Sequence, residues 1–147
     1  MSISNIFGIA GTALNAQITR MNATASNLAN AGTVAGKEDE AFRGKRTVFK
    51  ALVNEEMTHA GAPYVGGVMV AGIVDDPTAP RRVSDPKNPL ADKEGYVYQS
   101  NVSEVTEMVE MMAAARSYQN NVEVINTARQ LMLRTLDITK SCTGTEP

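Results

Sequence analysis

The chain has 147 residues, enough for one ordinary domain with its own core. Its 14 Lys and Arg residues against 16 Asp and Glu residues argue against a general nucleic-acid binder, which is usually basic. No stretch approaches the roughly 18 uninterrupted apolar residues of a membrane helix, and the single cysteine, Cys142, can form no internal disulfide.

Residues 3 to about 30 carry apolar side chains at alternating steps of three and four, which predicts one helix of roughly 40 Å. Arg20 is the only charged residue among residues 1–36, so this helix lacks the charged outer face of a typical surface helix. No basic residue precedes the apolar positions and asparagines interrupt them, so no cleavable signal peptide is predicted. The predicted interface positions here are Ile3, Phe7, Leu14, Gln17, Met21 and Leu28.

The middle of the chain changes in composition. Eight of the eleven Gly and five of the six Pro residues lie within residues 31–100. Short β-rich runs at Arg46–Val53, Val65–Val74 and Tyr96–Gln99 predict a small β-module with long loops. The charged stretch from Lys37 to Arg46 is interpreted as a solvated loop, with a docking surface as the alternative.

A second helix is predicted to begin near Asn101 or Ser103, with Asn101 and Glu104 as a capping pair, and to run to about Lys140. Acidic residues lie in its opening turns and basic residues near its end, which favours the helix dipole. Its predicted interface positions are Met108, Met111, Tyr118, Val122, Ile125, Arg129, Met132 and Leu136. Within the two series, Gln17, Thr24 and Arg129 are candidates for contacts that set the register.

These patterns predict an α+β fold in which long N- and C-terminal helices pair in a coiled-coil-like manner around a small β-rich module. The predicted domains are an N-terminal helix at 1–32, a β-module at 33–100, a C-terminal helix at 101–140 and a flexible tail at 141–147. The helices can pair within one chain or between chains. In either case broad uncharged faces are left for neighbouring subunits to cover, so the pattern favours a protein that assembles.

No catalytic group, metal site, cofactor site or small-molecule substrate is predicted. His59 is the only histidine, and with Cys142 it cannot make a plausible zinc site. The Asp75–Asp76 and Glu38–Glu40 carboxylates lack the spacing of a calcium loop. An enzyme with an unrecognised site remains the outside alternative.

Two sets of motifs resemble the flagellar basal-body rod and hook axial proteins. The first reads Ala25-Ser26-Asn27-Leu28-Ala29-Asn30, with Thr33 just after it and Phe42-Arg43 further on. The second reads Asn88-Pro89-Leu90-Ala91-Asp92, Gly95-Tyr96-Val97, Ser100-Asn101-Val102, Glu107-Met108-Val109, Ala115-Arg116-Ser117-Tyr118-Gln119 and Asn121. The insertion from Val34 to Ala41 and the short length are similar to the proximal-rod members of that family. The signature residues are Ser26, Asn27, Leu28, Ala29, Asn30, Thr33, Asn101, Arg116 and Tyr118.

The resemblance implies a structural protein without enzymatic activity. In this family the paired terminal helices form the inner layer of a hollow tube, and the β-module lies outside it. The resemblance further implies export through the flagellar type III apparatus with an uncleaved N-terminus, in place of the cytoplasmic location that composition alone suggests. The implied partners are copies of the chain, other proximal-rod proteins, the membrane-ring and export-gate junction, and the distal rod.

Three alternatives remain open at this point: another rod subunit, a hook-associated protein and, more remotely, a type III-secreted needle or translocator-like protein. We also hypothesise that Asn27 and Asn30 fix the angle between the N-terminal helix and the β-module, because asparagine tolerates unusual backbone conformations and caps helix ends.

Overall fold

The computed structural model describes residues 3–52 and 66–143, without the side chains of Ile3 and of residues 140–143. His59 and the predicted strand ends Val53 and Val65 lie outside the described residues, as does the end of the predicted tail at 144–147. The side chain of Cys142 is not described either.

Two long helices frame the molecule. Helix α1 spans Ile3–Asn30 (28 residues) and helix α2 spans Glu104–Thr143 (40 residues). At 1.5 Å per residue they are about 42 and 60 Å long. Helix α1 ends where the N–H and the hydroxyl of Thr33 both donate to the carbonyl of Asn30, at 3.1 and 2.7 Å. Both predicted helices are present, and α2 runs three residues beyond the predicted Lys140.

The predicted capping pair of Asn101 and Glu104 is wrong. Helix α2 begins at Glu104, and the N–H of Glu107 donates to the carbonyl of Ser103 at 3.0 Å. The side chain of Asn101 instead accepts a hydrogen bond from the N–H of Gly44 at 2.8 Å and donates to the carbonyl of Thr78 at 2.7 Å. Because these loop groups have no strand partner there, they hold Asn101 away from the helix end.

The two helices pack antiparallel within one chain. Arg20, in the second half of α1, binds Glu110 of α2, whereas Asn27, near the end of α1, binds Glu107. The buried apolar residues of the two helices are all alanines, and small side chains let neighbouring backbones approach closely. They are Ala10, Ala16 and Ala23 in α1, and Ala114 and Ala128 in α2.

Five short strands lie between the helices in the described part of the chain. They are β1 (Val34–Ala35), β2 (Lys45–Ala51), β3 (Val68–Asp75), β4 (Arg81–Ser84) and β5 (Tyr96–Gln99). Strands β2 and β3 pair antiparallel, with an irregularity between Val48 and Phe49. Strands β1, β5 and β4 form an antiparallel sheet in that order. The structure therefore confirms the predicted α+β fold.

The β2–β3 pair lies against α1, which both strands contact. The hydroxyl of Thr12 on α1 accepts a hydrogen bond from the N–H of Val68 at 3.2 Å, and so holds the start of β3. Gly67 precedes that strand with φ +139°, and a Cβ there would lie 2.8 Å from the Thr12 hydroxyl. A side chain at position 67 would therefore push β3 away from the helix.

Strands β1 and β4 are missing from the sequence-based assignment. Strand β1 has only two residues, and all four residues of β4 are exposed. A strand that is exposed on both faces has no alternation of apolar and polar residues to detect. The division into domains at 32, 100 and 140 stays a prediction. In the described residues, no helix combines the length and the apolar character needed to cross a membrane.

Candidate assembly interface

Asn27 joins the end of α1 to the β-module. Its side chain is fully buried. Its Oδ1 accepts a hydrogen bond from the N–H of Lys45 at 2.6 Å, and its Nδ2 donates to the carbonyl of the same residue at 2.9 Å. One amide side chain therefore satisfies both backbone groups at the first residue of β2, much as a neighbouring strand would.

Glu107 brings α2 into the same contact. Its side chain is only 1% exposed. One carboxylate oxygen accepts from Nδ2 of Asn27 and the other accepts from the guanidinium of Arg46, both at 2.9 Å. Because a buried carboxylate is costly unless it is paired and hydrogen-bonded, this arrangement stabilises one position of α2 relative to β2. We call Asn27, Lys45, Arg46 and Glu107 the joint.

Asp76 extends the joint to the loop after β3. Its carboxylate lies 3.4 Å from Nε of Arg46 and accepts a hydrogen bond from the N–H of Thr78 at 2.9 Å. Hydrogen bonds from Thr78, first from its side chain and then from its backbone, lower the pKa of Asp76 below its usual value. The carboxylate therefore stays charged beside Arg46 into the acidic range.

A second contact between the helices lies two turns away along α1. Arg20 forms an ion pair with Glu110, and both side chains are about one-third exposed, at 33% and 37%. Arg20 and Asn27 are seven residues apart on α1, and Glu107 and Glu110 are three apart on α2, so each pair shares one helix face. The only charge in the first 36 residues is thus used to hold the two helices together.

The motif at Asn88–Tyr96 forms a turn. The Oδ1 of Asn88 accepts from the N–H of Leu90 at 3.0 Å, and one oxygen of Asp92 accepts from the N–H groups of Glu94 and Tyr96 at 2.9 Å each. The backbone hydrogen bond from Tyr96 is the main cause of the lowered pKa of Asp92. Gly95 in this turn has φ +81°. Turn geometry accounts for these residues without a ligand.

The predicted interface residues of α1 lie partly covered within the chain. Phe7, Leu14, Gln17, Met21 and Leu28 are half-buried, and the side chain of Ile3 is not described. The Oε1 atom of Gln17 is buried and has no hydrogen-bond partner in the described part of the structure. Thr24 is also buried.

The predicted interface residues of α2 divide into two groups. Met111, Tyr118, Val122 and Ile125 are half-buried, whereas Met108, Arg129, Met132 and Leu136 are exposed. The residues that α2 buries most are Glu107 and Ala114, whereas the predicted interface positions included Met108, the neighbour of Glu107. The signal for Glu107 was its spacing, since it lies four and seven residues before Met111 and Ala114. A charged residue on the predicted interface face was not expected to be buried.

The signature residues also occupy different environments. Asn27 is buried, Leu28, Asn30, Asn101 and Tyr118 are half-buried, and Ser26, Ala29, Thr33 and Arg116 are exposed. The side chain of Asn30 donates to the carbonyl of Ser26 in its own helix at 2.8 Å. Of the two asparagines in the angle hypothesis, the side chain of Asn27 binds the β-module and α2, whereas the side-chain hydrogen bond of Asn30 stays within α1.

Large apolar side chains are exposed near both ends of α2. We define the outer ridge as four residues near its start: Val105, Met108, Val109 and Met112, exposed by 55–73%. We define the terminal segment as residues 129–139, all of which are exposed. Its large apolar residues are Leu131, Met132, Leu133, Leu136 and Ile138. Isolated exposed apolar residues are ordinary, but contiguous sets mark interaction surfaces.

Three of the carboxylates considered as cation ligands pair with basic side chains. Lys45 pairs with Asp75, Arg46 with Asp76, and Lys37 with Glu40 at 3.1 Å. Among the described residues, no group of three or more His, Cys, Asp or Glu side chains is arranged to hold a metal ion.

Sequence models of known protein families match the regions of both helices, α1 and α2. The sequence model of the flagella basal body rod protein family matches residues 7–35, and that of the flagellar basal body rod FlgEFG protein C-terminal region matches residues 93–138. These two stretches contain most of α1 and α2 and the residues of the joint that lie on the helices.

Curated relatives match nearly the whole chain. The flagellar basal-body rod protein FlgC of Yersinia enterocolitica is 49% identical over 138 residues, covering 94% of this chain and 98% of the relative. That of Salmonella typhimurium is 46% identical over the same shares. That of Bacillus subtilis is 31% identical over 95% of this chain and its own full length. The chain belongs to the family of the flagellar basal-body rod protein FlgC and is a structural subunit of the basal-body rod, as its motifs predicted.

Proposed function

We propose that the antiparallel helix pair builds the wall of the proximal rod, with the exposed apolar surface of α2 covered by neighbouring subunits. The single observation that carries this proposal is the terminal segment. The hydrogen bond between Asn27 and Glu107 places the end of α1 beside the start of α2. Since α2 is 12 residues longer than α1, its other end extends past the start of α1.

The composition of the terminal segment supports burial in an assembly. Its apolar residues point in several directions around the helix, because Leu131, Met132 and Leu133 are consecutive. Apolar residues on several sides of one helix are normally buried by more than one neighbour. Fully burying one large apolar side chain contributes about 1.5–3 kcal/mol. Since these residues are already about half covered, five of them would contribute on the order of 5 kcal/mol per subunit.

The joint holds the β-module at one orientation relative to the helix pair. Its buried hydrogen bonds connect α1, α2 and β2, so the module cannot tilt without breaking a bond to Asn27 or Glu107. A fixed angle between wall and module is what a repeating assembly needs, because each subunit must present the same surfaces to the next. The joint would thus transmit torque from the wall to the outer part of the rod.

The finer parts of the proposal rest on family membership. We propose that the chain contacts copies of itself, other rod proteins, the membrane-ring and export-gate junction below and the distal rod above. We also propose that it reaches the rod through the flagellar export apparatus with an uncleaved N-terminus, and that it catalyses no reaction. The pairing of Asp75, Asp76 and Glu40 with basic side chains is consistent with a structural role for these carboxylates.

Substitution in the terminal segment tests the proposal. The variant Leu133→Glu with Leu136→Glu places two charges on exposed apolar positions, so the isolated chain should keep its helicity and its stability within about 0.5 kcal/mol. In a strain without the native gene, we expect it to abolish swimming and to leave basal bodies without a complete rod.

The matched control adds the same two charges at exposed polar positions, as Asn126→Glu with Gln130→Glu. This control should swim much more strongly than the test variant at equal cellular amounts, measured by immunoblot. Normal swimming and complete rods with the Leu133 and Leu136 variant would contradict the proposal.

A further inference from the structure

The joint and the Asn88–Tyr96 turn leave the motif pair Phe42-Arg43 without a role. We propose that Arg43 binds a carboxylate of a neighbouring rod protein, in a cleft on the surface of the β-module. This contact rests on the proposed function, since it joins the same subunit to a rod neighbour, but it lies on the β-module rather than on α2. The partner group is an acidic side chain of another protein and not a free anion.

The cleft lies beside the start of β2. It has a volume of about 490 Å³ and is open to solvent. Its lining combines one aromatic ring with charged side chains: Asp39, Ala41, Phe42, Arg43, Lys45 and Asp75. Because one water molecule occupies about 30 Å³ of the liquid, the cleft has room for a whole side chain of a partner.

Arg43 differs from the other basic residues of the charged stretch at Lys37–Arg46. The others all form ion pairs within the chain: Lys37 with Glu40, Lys45 with Asp75, and Arg46 with Asp76 and Glu107. The side chain of Arg43 has no ion pair or hydrogen bond in the described part of the chain, although the residue is half-buried. Since a guanidinium withdrawn from water normally has a partner, we expect that partner to come from another molecule.

The backbone around Arg43 is anchored on both sides. Ala41 is buried. The carbonyl of Gly44 accepts a hydrogen bond from the N–H of Asp76 at 2.7 Å, and the N–H of Gly44 donates to Oδ1 of Asn101 at 2.8 Å. Only the side chain of Arg43 therefore has to become ordered when a partner binds, and a preorganised site loses less conformational entropy on binding.

The charges of the cleft favour a single carboxylate over a phosphate. Lys45 and Asp75 neutralise each other, which leaves Arg43 and Asp39 as the charges without an ion-pair partner in the described residues. A phosphate group carries nearly two negative charges, so Asp39 would repel it strongly. A carboxylate carries one charge and binds the planar guanidinium through two parallel hydrogen bonds. A basic side chain beside that carboxylate would face Asp39, so the cleft fits a protein segment that carries both charges.

The cleft is connected directly to the joint, because Lys45 belongs to both. The backbone N–H and carbonyl of Lys45 bind the side chain of Asn27, at 2.6 and 2.9 Å. A neighbour held at Arg43 is therefore linked through two residues of β2 to the end of α1. The contact would fix that neighbour relative to the helix pair as well as to the β-module.

Charge reversal at Arg43 tests the contact in the full-length chain. In a strain without the native gene, Arg43→Glu should lower the fraction of swimming cells about tenfold, because it places a negative charge against the partner's carboxylate. Arg43→Lys keeps the charge but loses the two-bond geometry, so it should swim better than Arg43→Glu. Arg81→Glu is the matched control and should swim like the native chain, since Arg81 is an exposed arginine outside this cleft.

The folded state should be unaffected by these substitutions. Arg43 has no recorded side-chain partner to lose, so circular dichroism and the urea midpoint of Arg43→Glu should match those of the native chain. Normal swimming of Arg43→Glu, or an equal loss with Arg81→Glu, overturns the proposal. A fall in the urea midpoint as large as that of Glu107→Ala also overturns it, because Arg43 would then be a structural residue of its own chain.

Photo-cross-linking tests the chemistry of the partner. Phe42→p-benzoylphenylalanine places a photoreactive ring in the cleft, and irradiation of purified basal bodies should join it to another rod protein. Mass spectrometry should find the attached peptide to contain an acidic and a basic residue close together. The same probe as Val83→p-benzoylphenylalanine, on β4, should not give this product. The absence of a product from position 42, or attachment to a peptide without an acidic residue, contradicts the proposal.

Inorganic phosphate is the probe for the other occupant of the cleft. Titration of the purified chain with millimolar phosphate should give no saturable NMR shift of the Arg43 Nε–H group, and a saturable shift would contradict the choice of a protein carboxylate. The proposed rod function is judged separately, by swimming of the Leu133 and Leu136 variant. Normal swimming of Arg43→Glu beside a loss in that variant would refute the contact at the cleft and leave the proposed function intact.

Discussion

The two ends of α2 differ in which side chains are buried and which are exposed. At the joint, the polar side chains of Asn27 and Glu107 are buried and hydrogen-bond each other, and they also bind Lys45 and Arg46 of β2. At the terminal segment, large apolar side chains such as Leu131 and Leu136 are exposed. A monomeric protein would normally arrange these two kinds of residue the other way round.

The difference separates two tasks. Buried polar groups need particular partners at particular angles, so the joint specifies one geometry between helix and β-module. Exposed apolar residues need only a complementary apolar surface, so the terminal segment can be covered by a neighbour. Substitutions at the joint should therefore damage the fold, and those at the terminal segment should damage assembly alone.

The largest effect on the fold is expected at Glu107. Glu107→Ala removes the acceptor shared by Asn27 and Arg46 and leaves one N–H of the buried Asn27 amide without its acceptor. We expect it to lower the free energy of unfolding by about 3 kcal/mol, measured by urea denaturation followed by circular dichroism. Glu107→Gln keeps one acceptor and should cost about half as much. Equal stability of Glu107→Ala and the native chain would show that the joint does not hold the helices to the module.

A smaller effect should distinguish the two signature asparagines. Asn27→Ala leaves both backbone groups of Lys45 unpaired and should cost about 2 kcal/mol. The recorded bond of Asn30 reaches Ser26 in its own helix, so Asn30→Ala should cost no more than about 0.5 kcal/mol. Swimming should follow the same order. Equal loss of stability and swimming in the two variants would mean that Asn30 fixes the angle between α1 and the β-module as much as Asn27 does.

Local patterns predicted the helices well because apolar spacing reports directly on helical faces. The alternation through Leu14, Met21 and Leu28 gave α1 its bounds, and family motifs then indicated the rod subunit. The same spacing missed Glu107, since an apolar pattern cannot mark a carboxylate whose burial depends on Arg46, 61 residues away in the sequence. Burial of a charge depends on tertiary partners, which one helix does not display.

The sequence could not show which predicted interface residues are exposed, for a related reason. A helical seam predicts that a face is covered, but not whether its own chain or a neighbour covers it. Met111 and Met132 lie in one predicted series, yet the first is half-buried and the second is exposed. The different lengths of α1 and α2 determine which of these positions its own chain covers. The failed prediction of a helix cap at Asn101 has a similar cause, because backbone groups of Gly44 and Thr78 in distant loops bind its side chain.

The smallest expected effect concerns the edge of the joint at Asp76. Hydrogen bonds from Thr78 lower its pKa below the ordinary 3.8, so the folded state holds the charged form more tightly than the unfolded state does. The associated stability is therefore complete above about pH 4 and is lost as the pH falls through the folded-state pKa. An NMR titration of the Asp76 carboxyl carbon should give a midpoint below 3.8, and Thr78→Ala should move it upward. A midpoint at or above 3.8 in the native chain would mean that Thr78 does not hold this carboxylate in its charged form beside Arg46.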